Sequence, residues 1–155
     1  MCRGLAARIV TASDVAAERR RLAQLLVDQL SDEAGLTECR VTIADRPQAH
    51  QHDGQRLQSK TYGYYSCAVD GADTRNARIR IYHRTAVRQQ VIAPKVFLNT
   101  VVHEWVHHYD FAGLRLGQSP HTSGFYARLR DLAERLEIGF VLPPEPEPSV
   151  AGAVP

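Results

Sequence analysis

Residues 94–111, PKVFLNTVVHEWVHHYDF, decide how this chain is read. Pro94 suits the first position of a helix, where its missing N–H removes no hydrogen bond the helix needs. From Val96 to Phe111 the segment is apolar nearly all the way round, interrupted mainly by His103, Glu104, His107, His108 and Asp110. The pattern predicts a helix buried on several sides and ending at Gly113. Polar side chains inside such a helix are costly unless they are paired or bind an ion.

Within it lies the pattern His103-Glu104-x-x-His107. At about 100° per residue, His107 falls about 40° round the helix from His103 and one turn along, with Glu104 about 60° further. All three share one arc. Two neutral imidazoles suit Zn²⁺, and a carboxylate beside them that is not itself a ligand can take a proton from zinc-bound water. His108 lies about 140° round from His103, too far to share the ion, so a supporting or surface role is expected. Spacing alone leaves three candidates for a third ligand. These are Asp110 on the same helix, Glu134 on the next, and His121 in the stretch that turns back after Gly113 and Gly117.

Outward from this helix, residues 14–30 (DVAAERRRLAQLLVDQL) place Val15, Leu22, Leu25, Leu26 and Leu30 at helical spacing. Thr11, three before Asp14, offers a capping box, and Gly35 a stop. The period then shortens. Residues 39–45, 62–70 and 77–83 read as strands, and GADTRNA (71–77) has the chemistry of a turn joining the last two. RPQAHQHDGQRLQSK (46–60) reads as a polar surface loop. A third helix over 123–137 carries the stripe Phe125, Leu129, Leu132 and Leu136. The expected fold is α+β: an N-terminal helix, a three-stranded mostly antiparallel sheet, the histidine-bearing helix and a following helix. Strand 77–83 is expected at a sheet edge, where an extended substrate can add to it.

The 155 residues suit a single domain, here 1–142, followed by a Pro/Glu-rich tail (143–155) expected to be disordered. Apolar residues at 44% and charged residues at 23% are globular values, and no apolar run approaches the roughly 18 residues of a membrane span. The N-terminal MCRGLAARIV is interrupted by Arg8 and lacks the pattern of a secretory signal, so a cytoplasmic location is expected. Cys2, Cys39 and Cys67 are odd in number and widely spaced, as free thiols would be. A net charge of +2 gives no electrostatic case for nucleic acid. His50, His52 and His83 are expected to be solvated. Tyr64, Tyr65 and Tyr126 are candidates to stabilise an oxyanion, though strand or core packing is the more ordinary role.

HEWVHHYDFAGLRLGQSPH (103–121), followed by TSGFYARL, resembles the SprT-like zinc metallopeptidases. Their pattern is H-E-x-x-H, then a third histidine, often after proline, with an aromatic residue four further on. Pro120, His121 and Phe125 match. The preceding strands, with Gly63 and Ile79-Arg80-Ile81, fit the family's small sheet, so the resemblance covers residues 60–137. It implies a minimal zincin-like domain, zinc held by His103, His107 and His121, Glu104 as general base, and a protein or peptide substrate. Thr122 stands where the family often has glycine, and no zinc ribbon follows. Two other functions fit the same residues: a non-enzymatic binding module stabilised by zinc, and a protease acting on DNA-associated proteins.

Overall fold

The computed structural model describes residues 1–12, 14–52, 57–70, 73–139 and 153–154. The chain opens with two helices, α1 (Cys2–Thr11) and α2 (Ala16–Ala34). The first was not anticipated. It forms because Cys2, Leu5, Ala6 and Ile9 line one buried stripe. Thr11 does not start a capping box: its hydroxyl donates back to the carbonyls of Ala7 and Arg8, and Val15 begins α2 without a side-chain cap. Gly35 ends α2 as expected. Its φ of +67° is a conformation that glycine adopts without steric cost, and it lets the amides of Gly35 and Leu36 reach the carbonyls of Asp32 and Ser31.

Five strands follow: β1 (Cys39–Pro47), β2 (Ala49–His52), β3 (Leu57–Thr61), β4 (Gly63–Asp70) and β5 (Asp73–Arg84). The main sheet runs β1-β5-β4, and a short β6 (Ala153–Val154) pairs antiparallel with β4 at Tyr65 and Ser66. β4 and β5 form the expected antiparallel pair, Tyr65 opposite Ile79, although turn residues 71–72 lie outside the described residues. β1 runs parallel to β5, so the sheet is mixed rather than mostly antiparallel. A parallel partner needs a long crossing connection, and the segment holding β2, β3 and β4 supplies it. Strand 77–83 is therefore central, bonded on both sides, and not an edge.

The segment 46–60 is likewise not a plain loop. β1 runs on to Pro47, and β2 pairs antiparallel with β3, His50 opposite Lys60; residues 53–56 and the side chains of His50 and His52 lie outside what is described. Most of the tail, 140–152 and 155, also lies outside the described residues.

The helices cover one face of the sheet. Val41, Tyr65, Ala77, Ile79 and Ile81 point into the same buried cluster as Leu22, Leu26, Leu30, Phe97, Val101 and Trp105. Each such large apolar side chain contributes about 1.5–3 kcal/mol when fully buried. Gly63 permits the tightest contact: a Cβ there would stand 2.7 Å from the Arg80 carbonyl oxygen and 3.2 Å from Thr100. β4 thus lies directly against α3 (Pro94–His108), which begins with proline as predicted. A π-helical turn, Tyr109–Gly113, extends it, and α4 (Ser123–Arg135) completes the described fold. Among the described residues no helix is long and apolar enough to cross a membrane.

Candidate metal centre

The buried run of α3 carries His103, Glu104, His107 and His108 into the core, each at most 8% exposed. His121 comes to them from the segment between the π turn and α4. One ligand atom from each of His103, His107 and His121 lies within 4.8 Å of the others, and no further His, Cys, Asp or Glu joins that group among the described residues. The Nε2 atoms of His103 and His121 are 3.3 Å apart. Two nitrogens each about 2.0–2.1 Å from one tetrahedral ion would stand about 3.3 Å apart, so the spacing of this pair is that of two ligands on one ion. His121 is only half-buried, which leaves the centre an approach from solvent.

Phe125 is the floor of this centre. Its ring stacks on His107 at 4.4 Å and meets His103 and His121 edge-on at 5.0 and 5.6 Å. The half-buried Tyr126 stacks on His121 at 6.1 Å, and burial raises its phenol above the usual range. Of the three tyrosines considered as oxyanion donors, it alone makes a recorded ring contact with a ligand histidine. Tyr65 is buried and committed elsewhere.

What places His121 is a set of contacts that the sequence pattern did not reveal. Asp110, fully buried, takes a bidentate bond from Arg128 of α4, both distances 2.7 Å, and a third from the Ser119 hydroxyl at 2.6 Å. The carboxylate is thereby spent on the loop rather than on the metal. Bonds from Ser119 N to Leu116 O and from Thr122 N to Ser119 O tighten the turn, and His121 takes φ of +58° at its tip. Thr122 then caps α4, accepting the Phe125 amide at 3.2 Å. That cap is worth about 1 kcal/mol. The available signal was Asp110 itself, an acid in an apolar run that had to find a partner. Glu134, the other alternative ligand, is exposed on α4 and does not join the group.

Glu104 lies beside the histidines but outside the ligand group. It is 2% exposed, and its Oε2 is buried with no hydrogen-bond partner. Burial raises its carboxyl well above the usual range. His108 faces the other way. Its Nε2 donates to Thr37 O at 3.0 Å, which fixes the tautomer, so Nδ1 accepts from the Tyr65 hydroxyl at 2.9 Å. Its role is to brace the core, not to sit at the surface. Burial depresses its basicity despite the Thr37 bond. His83, expected to be solvated, is instead 2% exposed. The three cysteines are free thiols, and burial pushes Cys39 up to about 12.

Three histidines on two segments, one half-open, with a buried carboxylate adjacent, can hold a metal ion and move a proton next to it. Comparison of the chain with known protein families, curated proteins and solved structures finds no match.

Proposed function

We propose that the chain is a zinc-dependent metallopeptidase of the SprT-like, zincin kind. One observation carries this reading. Glu104 is held in the core beside three convergent histidines, with a carboxylate oxygen that no protein group satisfies. A site that only tied helices together would gain nothing from a buried acid left without a partner.

Zinc, when bound by His103, His107 and His121, supplies Lewis-acid polarisation of water and of a scissile carbonyl. Glu104 takes the proton of the attacking water and returns it to the departing amine. Phe125 holds the imidazoles in place and excludes water from beneath them. The outer edge of β4 is where an extended peptide would lie. It already pairs a short strand at Tyr65 and Ser66, and its Gly63 packs against Thr100, one turn before Glu104.

Glu104→Gln keeps the shape of the side chain but cannot accept the proton. Metal content and melting temperature should persist while cleavage of an unfolded protein substrate falls by about 10²-fold or more. Equal cleavage by the variant, or none by the wild type across peptides, unfolded proteins and DNA-bound proteins, would refute the reading.

A further inference from the structure

A second unsatisfied cluster lies where α2 and α3 begin. Arg19, the fourth residue of α2, is 1% exposed, and its Nε, Nη1 and Nη2 are all buried without a hydrogen-bond partner. Helical side chains lean toward their own N-terminus, and the guanidinium accordingly lies over the Phe97 ring, 5.0 Å from its centre, in the first turn of α3. That turn is about two turns before His103. His83 of β5 lies at the approach to α3, its carbonyl accepting the Ile92 amide at 2.9 Å two residues before Pro94; it is 2% exposed, and its Nδ1 is buried without a partner. The one acid whose charge acts on Arg19 is Asp14, which is exposed and makes no ion pair with it.

Neither helix has a side-chain cap, since Val15 precedes α2 and Ala93 precedes α3. Each first turn presents amide donors at the positive end of its helix, and Arg19 of α2 lies against the first turn of α3. A buried guanidinium without a counter-charge is strongly unfavourable. An anion would answer the whole set, because guanidinium forks, imidazole N–H groups and helix N-termini all bind anions.

We propose that Arg19, His83 and the first turns of α2 and α3 form a closed binding site for a small anion, chloride or a carboxylate the size of formate. Enclosure sets the size limit, because Arg19, His83 and Phe97 are all at most 2% exposed. The site is independent of the metal centre and holds whether or not the chain is a peptidase.

Thermal unfolding of the purified protein at constant ionic strength, with isethionate replaced stepwise by chloride, tests it. The melting temperature should rise saturably, by about 2–8 °C, as for any ligand that binds only the folded state. Arg19→Met should abolish the rise. A flat wild-type curve, or the same rise in Arg19→Met, would overturn the site. Should Arg19→Met not fold, ³⁵Cl NMR on the wild type decides: the folded protein should broaden the chloride line equally before and after metal removal by EDTA. Broadening that is absent, or lost with the metal, overturns the proposal. Formate that narrows the line identifies a site for carboxylates as well as halides, and chloride binding without competition by formate supports the halide form of the same site.

Discussion

His107 and His108 are neighbours in sequence, and both are fully buried, yet they belong to different parts of the molecule. Both ring nitrogens of His108 are engaged, by Thr37 and Tyr65. His107 instead stacks on Phe125 and turns its ring toward His103 and His121. Burial therefore does not separate a ligand from a brace. What separates them is what each ring faces: His108 a backbone carbonyl and a tyrosine hydroxyl, His107 two other imidazoles.

The comparison breaks most visibly under substitution of the ligands. His103→Ala and His107→Ala should each reduce metal from about one ion per chain to nearly none, measured by elemental analysis, because each removes one of three donors. Stoichiometric metal in both variants would mean that the histidine cluster is only a packing feature. His108→Ala should do the reverse. It leaves the buried Tyr65 hydroxyl unmet and empties a ring's volume from the core, so denaturant unfolding should show a loss of about 2–4 kcal/mol while metal content is kept. Lost metal at unchanged stability would erase the distinction drawn here.

Asp110→Asn gives a smaller effect and tests how His121 is held. The variant keeps the shape but loses the charge that binds Arg128 and part of the bond to Ser119. Metal affinity in a competition titration should fall about 10–100-fold, the usual effect of disturbing groups that orient ligands. Unchanged affinity would show that the loop is positioned by other means.

His83 sharpens the rule with the smallest effect. Burial lowers its basicity first, with Arg19 of α2 and Arg84 of β5 adding to that, against Asp45 of β1 and a backbone bond at Asp14. A base whose folded-state pKa is depressed binds fewer protons folded than unfolded. Its stabilising contribution is therefore fully present above the unfolded value of about 6.5 and is lost as pH falls below it. Between pH 7 and 5, unfolding by denaturant should show less loss of stability in His83→Gln than in the wild type. An identical slope would mean that this imidazole is not held neutral.

The sequence made the histidine-bearing helix legible because its signals are local: proline at the start, an apolar run, and two histidines one turn apart. His121 was reachable from its spacing and its resemblance to a family, but the contacts that seat it join Asp110 to Ser119 and Arg128 across two segments and leave no periodic trace. The parallel pairing of β1 with β5 was hidden for a related reason, since no tight turn marks a parallel partner. β2 and β3 were missed because polar residues paired only with each other lack the apolar alternation that signals a strand. His83 lies at a strand end that reads as solvent-facing until the segment at Asp14, before α2, is placed against it. α1 was overlooked although Leu5, Ala6 and Ile9 already have helical spacing.

The parallel pairing also has a consequence in time. Cys39 must find Ala77 across most of the intervening sheet, a long-range step of the kind that slows folding, whereas a helix forms orders of magnitude faster. His103 and His107 reside on one helix and need no sheet to face the same way. A nascent chain thus presents a two-pronged chelate before the β1–β5 register is set, and His121 joins only when α4 docks. The order of assembly makes the supply of metal during synthesis, and not only affinity in the finished molecule, a determinant of which ion the proposed site would hold.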